Sequence, residues 1–230
     1  MLLNLLKLLT GFSVQLFIGL TVFFLASYFI KAKNSKDSDI DRDAVETQKK
    51  LNHIWKWRYQ NIPNKFFGHG CDYPFEHYIS GESNVTINNL DELCTWLLGC
   101  KYIPDYIKKG QRDHWSHPDE FESERTGDCE DFALWAWRKL KDLHFDADFT
   151  VGKWIHENGR IGTHAWVIIR QIDGDLILET TGRSKERMLK PLLLHRHEYI
   201  PFAAVDTELR KKVYLGIIAW LGRIKRSLDD

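Results

Sequence analysis

One cysteine of this 230-residue chain lies where a nucleophile would be expected. Cys129 follows Gly127 and Asp128, and beyond it apolar residues recur at helical spacing: Phe132, Ala133, Ala136, Trp137, Leu140 and Leu143. This period predicts an amphipathic helix with one buried face and with Asp128 as its N-terminal cap. The positive end of a helix lowers the pKa of a thiol and so favours the reactive thiolate. A small buried core cysteine is the other interpretation of the same pattern.

A thiolate nucleophile needs a base that takes its proton and later delivers it to the leaving group. His164 lies in a predicted strand, and Glu179 ends the next strand as the acid that would orient the imidazole. A two-residue turn at Asp173-Gly174 would pair Ile168 with Glu179, which places Glu179 and His164 on one face of the sheet. The two would still be four residues apart at about 3.3 Å per residue, so a bulge, a looser turn or strong twist must close that gap.

Three carboxylates surround the thiol in sequence, on Asp128, Glu130 and Asp131. They would raise the pKa of Cys129 if they pointed at its sulfur. They either cap the helix and face away, or hold a cation such as calcium, which binds six or more oxygens. We interpret them as caps and expect no required cofactor and no metal, with calcium at Asp128 and Glu130 as the alternative.

The elements around this stretch indicate an α+β fold. Beyond the cysteine helix the period changes from 3.6 to 2, with strands predicted to begin near Phe149, Ile161, Leu176 and Tyr199. Asn158-Gly159 and Asp173-Gly174 are typical hairpin turns. A helix that precedes an antiparallel sheet, rather than alternating with its strands, is typical of α+β domains.

Composition excludes several function classes. Lys plus Arg equals Asp plus Glu at 32 each, so the chain lacks the basic excess expected of a nucleic-acid-binding protein. If Cys129 is a nucleophile, three cysteines remain, an odd number that does not suggest a disulfide framework. No CxxC pair is present, which argues against a structural zinc site.

Residues 8–30 carry no charged side chain, which suits a helix that crosses a lipid bilayer. We expect a single-pass membrane anchor over residues 1–33, with a cleaved signal peptide as the alternative. The positive-inside tendency favours a cytoplasmic catalytic domain. Residues 34–84 then form a juxtamembrane linker, a helix to about Tyr59 and an irregular segment; residues 85–206 form the catalytic domain.

Residues 207–230 are expected to form a C-terminal amphipathic helix, with its helical pattern from Arg210 to Arg226. Its apolar run is too short to span a bilayer. It either docks on the domain or lies on an anionic membrane surface.

Four motifs together resemble the bacterial transglutaminase-like cysteine peptidases, of the transglutaminase-core, papain-like superfamily. They are Asp-x-Trp-x-x-Pro-x-Glu-Phe at 113–121, Gly-Asp-Cys-Glu-Asp-Phe-Ala at 127–133, Thr-His-Ala-Trp-Val at 163–167 and Asp-Gly-Asp-Leu-Ile-Leu-Glu at 173–179. The resemblance covers roughly residues 90–205 and implies a papain-like fold. It makes Cys129 the nucleophile, His164 the general base and Glu179 the orienting acid, although the family more usually has Asp at the last position.

These features predict a membrane-anchored enzyme that cleaves an amide bond in a protein or peptide substrate through a Cys129 thioester. The backbone N–H of Cys129 would help to hold the oxyanion, and Trp115 would wall the cleft or donate its indole N–H. Hydrolysis is favoured over transfer to an amine. The alternative is a catalytically silent peptide-binding module at a membrane, which the glutamate at position 179 favours.

Overall fold

The computed structural model describes residues 38–156 and 158–229, and their side chains over residues 44–156 and 158–222. The expected anchor at residues 1–33 lies outside this range. None of the helices in the described range combines the length and the apolar character needed to cross a membrane. Lys50–Asp230 form one compact unit, which carries the whole sheet.

A seven-stranded antiparallel sheet forms the centre of this unit, in the order β1-β9-β8-β4-β5-β6-β7. Its strands are β1 (Trp57–Tyr59), β4 (Ala147–Ile155), β5 (Ile161–Ile169), β6 (Leu176–Leu178), β7 (Leu189–Pro191), β8 (Tyr199–Val205) and β9 (Lys211–Tyr214). A separate parallel pair joins β2 (Lys101–Tyr102) to β3 (Thr126–Gly127). The helices and the antiparallel sheet agree with the predicted α+β class.

Nine α-helices lie within the described residues. They are α1 (Ser38–Ile54), α2 (Phe75–Ile79), α3 (Leu90–Leu98), α4 (Asp105–Lys108), α5 (Pro118–Glu124), α6 (Cys129–Asp142), α7 (Lys185–Met188), α8 (Leu192–His195) and α9 (Gly216–Asp229). Helix α6 carries Cys129 on its first turn. Every side chain from Glu130 to Leu140 is buried, so α6 is a central helix rather than one with a single buried face.

The charged residues of α6 tolerate this burial because they have partners. The Arg138 guanidinium binds Asp119 and donates to the carbonyl of Gly81 at 2.9 Å. The Lys139 ammonium donates to Ser83 and to the carbonyl of Val85. The segment between α2 and α3 thus covers the face of the helix that the sequence pattern left open to solvent.

Two helix boundaries differ from the sequence expectation. The predicted C-terminal helix was expected from Arg210, but Lys211–Tyr214 form β9, which pairs with β8 and β1, and α9 begins only at Gly216. The helix expected to run to Tyr59 ends at Ile54, because Trp57–Tyr59 pair with β9 as β1. Both segments were misassigned because their strand pairing is with a distant part of the chain.

The expected turn at Asp173-Gly174 was wrong in its length. Ile169 pairs with Leu176, so a six-residue loop joins β5 to β6 instead of a two-residue turn. Arg170 starts that loop: its N–H donates to the carbonyl of Asp146, and its guanidinium binds Asp148 and Asp175. These contacts hold the longer loop and shift the pairing of β6 by two residues from the expected one.

Candidate active site

Cys129 is the first residue of α6 and follows the strand β3 directly. Asp128 is the N-cap and Asp131 the third residue of a capping box. The Asp131 carboxylate accepts from the backbone N–H of Asp128 at 3.3 Å and of Ser116 at 2.8 Å. A Cβ at Gly127 would lie 2.3 Å from Asp131 Oδ2, so this close entry into the helix requires glycine. The chain therefore fixes the thiol at the helix start.

His164 and Glu179 are both buried and in direct contact. The Nε2 of His164 lies 2.9 Å from Oε1 and 2.8 Å from Oε2 of Glu179. Continuing the β5–β6 pairing places Glu179 opposite Trp166, only two residues from His164. The two-residue shift closes the gap that the sequence register left, and the glutamate side chain spans the remaining offset.

Glu179 accepts further hydrogen bonds from two residues. The Thr181 hydroxyl and N–H donate to Oε1 at 2.7 and 3.2 Å, and the Tyr199 hydroxyl donates to Oε2 at 3.0 Å. Burial alone would raise the pKa of Glu179, but the charge of His164 and these hydrogen bonds lower it to about 2. The carboxylate therefore stays ionised and holds the imidazole in one orientation with Nε2 protonated.

Helix α6 packs against β5, so Cys129 lies beside the residue that follows His164. The backbone N–H of Ala165, the residue after His164, acts on the Cys129 sulfur and favours the thiolate. Because Glu179 occupies Nε2, Nδ1 is the nitrogen of His164 left to exchange a proton with the thiol. The hydrogen bond of the thiol itself, however, goes to Glu130 Oε2 at 3.1 Å.

The electrostatic surroundings of Cys129 differ from the sequence expectation. Burial first, then the charges of Glu130 and Asp128, raise its pKa well above the usual value. The helix N-terminus does not outweigh them, and the thiol is held protonated in this arrangement. The expected lowering of the thiol pKa was therefore wrong, because Glu130 points at the sulfur instead of away from it.

Further carboxylates crowd the same place. Asp105 belongs to two groups of three carboxylates whose oxygens lie within 4.8 Å of one another. One group is Asp105, Asp128 and Asp131, and the other is Asp105, Asp113 and Glu130. Burial raises the pKa of Asp131 to about 7 and raises those of Asp105, Asp128 and Glu130. Buried oxygens of two of these acids, Asp105 Oδ1 and Asp128 Oδ1, have no hydrogen-bond partner among the described residues.

Trp115 does not serve the site as expected. Its ring is buried in the core and packs edge-on against Phe75 and Phe149. Its indole N–H donates to Asp113 at 3.0 Å and so is not free for an oxyanion. The Asp and Trp of the 113–121 motif thus hold each other beside the site.

Three residues at the site were not found from the sequence. Thr181 and Tyr199 hold Glu179, and the ring of Trp154 lies 5.1 Å from that of His164 at an angle of 30°. The hydroxyl two residues after Glu179 is a local signal that could have indicated Thr181. Tyr199 and Trp154 lie on other strands, and only the strand order brings them to the histidine.

A cavity of about 650 Å³ lies beside Glu179 and Trp154, the two residues that contact the imidazole of His164. Its wall includes Trp154 and Glu179, and its rim is formed mainly by α7, β7 and α8. A second cavity, of about 710 Å³, lies by Trp55 and Leu193, and its lining includes none of Cys129, His164 and Glu179. Of these two cavities, the one of about 650 Å³ is lined by a residue of the proposed site, Glu179, while neither is lined by Cys129 or His164.

Comparisons with known proteins give distant structural similarities. The calcium-bound form of LapG from Legionella pneumophila aligns over 69% of this chain and 81% of its own, at 18% identity and a TM-score of 0.40. The EGTA-treated form aligns over 58% of this chain and 64% of its own, at 17% identity and a TM-score of 0.39. No family model and no curated protein matches the sequence. Similarity at this level gives no independent support to a function, which has to rest on the site.

Proposed function

We propose that this chain is a transglutaminase-like cysteine peptidase with a papain-like fold. Cys129 is the nucleophile, His164 the general acid and base, and Glu179 the residue that positions His164. The observation that carries the proposal is the buried His164–Glu179 pair, whose Nε2 to Oε2 distance is 2.8 Å, beside a helix that begins with the cysteine. The motif resemblance assigns the same three roles.

In this mechanism, His164 takes the thiol proton through Nδ1, and the sulfur of Cys129 attacks the carbonyl of the scissile amide. The backbone N–H of Cys129 donates to the oxyanion, since the first amides of a helix lack partners within the helix. His164 then gives its proton to the departing amine and leaves a thioester on Cys129. A water molecule, deprotonated by His164, completes hydrolysis.

The acids around Cys129 support the alternative that the sequence left open, a bound calcium ion, rather than the expectation that no cofactor is required. The donor set is entirely carboxylate, which suits a hard cation, and two buried oxygens have no partner in the described residues. Asp105, Asp128 and Glu130 are the residues that would hold the ion, while Asp131 is occupied by the helix start. When bound, the ion would supply the positive charge that offsets these carboxylates and lowers the pKa of the neighbouring thiol.

The second candidate function is a silent peptide-binding module. The glutamate at position 179 no longer favours it, because that residue reaches His164. The raised pKa of Cys129 does favour it, since a buried thiol bonded to a carboxylate is a poor nucleophile. The two functions therefore differ in whether Cys129 can be made reactive.

Thiol labelling separates them. We expect iodoacetamide near neutral pH to alkylate Cys129 at least about tenfold faster with calcium than with a chelator. Cys71 and Cys94 are internal controls, because burial raises their pKa values to about 12 and about 11. Glu130→Gln should remove the calcium effect, and Asp142→Asn at the exposed end of the same helix should keep it.

A covalent intermediate is the second measurement. Mass spectrometry of the protein mixed with a peptide library and quenched in acid should find an acyl adduct on Cys129. The variant Cys129→Ser should cleave nothing, and His164→Ala should not form the adduct. If Cys129 labels as slowly as Cys71 and Cys94 in both conditions and no peptide is cleaved, the enzyme proposal fails and the binding module is favoured.

We also propose that the enzyme is tethered to a membrane, with the catalytic domain on the cytoplasmic side. The support is the uncharged stretch at residues 8–30 and the lysines that follow it, Lys31, Lys33 and Lys36. Full-length protein should stay in the membrane fraction after carbonate extraction and dissolve in detergent. Recovery of the full-length chain in the carbonate supernatant would argue against the tether.

A further inference from the structure

The cavity beside Glu179 has two charges that nothing in the described protein neutralises. Arg183 and Arg187 line it, both are exposed, and the guanidinium group of neither makes a hydrogen bond or an ion pair within the described residues. Arg183 precedes α7 and Arg187 lies within it, and because both line the same cavity, both can contact one ligand. An unpaired arginine pair at the mouth of a cavity is a site for an anionic group.

The described acids that line the cavity, Glu179, Glu186 and Glu198, already have partners. Glu198 binds Lys190 at 3.0 Å and His195 at 2.7 Å, and Glu179 is held by His164 and its other donors. Glu186 interacts with Ser184 and the backbone at the start of its own helix. Among the described charged side chains that line the cavity, the two guanidinium groups are therefore the ones without a partner.

The position of the cavity indicates which part of a substrate would enter it. The departing amine must come within hydrogen-bond distance of His164 to receive its proton. The chain that carries this amine therefore runs along the histidine, where Trp154 and Glu179 contact the imidazole and form one wall of the cavity. The segment after the scissile bond is thus the part that reaches Arg183 and Arg187.

We infer that this cavity is a subsite for the leaving half of the substrate, and that Arg183 and Arg187 select acidic residues in the segment after the cleaved bond. This inference rests on the proposed peptidase function and names its substrate class. Arginine provides a planar, permanently charged fork that matches a carboxylate. The preference should weaken in high salt, because both groups are exposed.

The test is a peptide library whose new N-termini are read by mass spectrometry after digestion by the full-length protein with calcium. Asp and Glu should be enriched in the first few positions after the cut. In the double variant Arg183→Gln, Arg187→Gln this enrichment should disappear. The kcat/KM for a Glu-bearing peptide should fall about tenfold relative to that for its Gln counterpart. The loss should appear in KM rather than in kcat.

Lys185→Gln is the matched control. Lys185 lies on the same short helix, but its ammonium binds Asp91 at 2.6 Å and it does not line the cavity. This variant should keep the acidic preference. Equal cleavage of Glu and Gln peptides by the unmodified protein, or an unchanged preference in the double variant, would overturn the inference while the peptidase function stands.

A binding measurement separates the two proposals. Fluorescence anisotropy with the Cys129→Ser protein should show tighter binding of a labelled Glu-rich peptide than of its Gln-rich equivalent, and the double arginine variant should remove the difference. Binding that depends on the arginines without any cleavage would reject the peptidase function but support an anion-binding site in the cavity. Absence of any cleavage together with equal binding of the two peptides would reject both proposals.

Discussion

Glu179 reaches His164 because its side chain is one methylene longer than that of the more usual aspartate. The pairing of β5 and β6 leaves the two residues offset along their strands, and the glutamate spans this offset to bring its carboxylate 2.8 Å from Nε2. We therefore expect Glu179→Asp to lower kcat by about tenfold or more, with little change in KM, although the charge is kept. Steady-state hydrolysis of a library-derived peptide measures this.

The matched control at this position is Thr181→Val, which removes one donor to Glu179 and leaves the contact with His164. It should have a smaller effect on kcat than Glu179→Asp. Full activity of Glu179→Asp would show that the length of the side chain is not what positions the imidazole.

The ionised state of Glu179 also makes a contribution to stability that depends on pH. Its pKa falls from 4.5 to about 2 on folding, so the contribution is present above pH 4.5 and is lost as pH falls towards 2. A pKa shift of this size corresponds to a contribution of roughly 3 kcal/mol to the free energy of unfolding. The difference in unfolding free energy between the protein and Glu179→Gln should be constant above pH 4.5 and should shrink below it, as urea denaturation at several pH values would show. A difference that stays constant down to pH 3 would contradict the assignment.

At the scale of elements, the hairpin of β4 and β5 positions His164 through a glycine. Gly152 lies opposite His164 and at the point where the pairing of β4 with β8 changes register. A Cβ there would lie 2.1 Å from the carbonyl oxygen of Ile200 and 2.9 Å from Cα of Pro201, so β8 would have to move. Gly152→Ala should cost about 1–3 kcal/mol of unfolding free energy and should lower kcat, because the strand beside the histidine is displaced.

Gly162 on β5 provides the control within the same hairpin. A Cβ there would meet only His156 Nε2 at 3.7 Å, which is ordinary contact. Gly162→Ala should change the unfolding free energy by less than about 0.5 kcal/mol. Equal effects of the two substitutions in urea denaturation and in peptide hydrolysis would show that the close approach of β8 does not matter.

At the scale of the whole molecule, one buried carboxylate joins three strands. Asp148 on β4 accepts from Lys212 on β9 at 2.7 Å and from Arg170 at the end of β5 at 2.6 Å, and both Asp148 and Lys212 are buried. Asp148→Asn keeps the size but removes the shared counter-charge, so that Arg170 keeps only Asp175 and the buried Lys212 keeps only Asp206, at 4.0 Å. We expect a loss of about 3–5 kcal/mol in unfolding free energy.

The exposed pair of Lys185 with Asp91 is the comparison for this substitution. Asp91→Asn should change the unfolding free energy by at most about 1 kcal/mol, since exposed pairs are screened by water and salt. The denaturant should be urea, because guanidinium chloride is a salt and would screen the charges of both ion pairs. A loss at Asp148 no larger than that at Asp91 would mean that the buried pair does not hold the strands together.

Much of the site was predictable because its signals are local. The cap residues and the 3.6-residue period placed Cys129 at a helix start, and the two-residue period placed His164 and Glu179 on neighbouring strands. Each of these patterns depends on residues a few positions apart in the chain. The α+β class followed from the order of the same patterns.

Tertiary structure alone decided how these parts meet. The pairing of Ile169 with Leu176 set the distance between Glu179 and His164, and it depends on the contacts of Arg170 with Asp148 and Asp175. Burial against the acids of other segments, Asp105 among them, decided that carboxyl groups crowd the Cys129 region and that two of their oxygens lack a hydrogen-bond partner among the described residues. Helix caps and strand periodicity depend on residues that are neighbours in the sequence. The pairing register of two strands and the local dielectric depend on side chains far apart in the sequence, so only the folded chain determines the register and the dielectric.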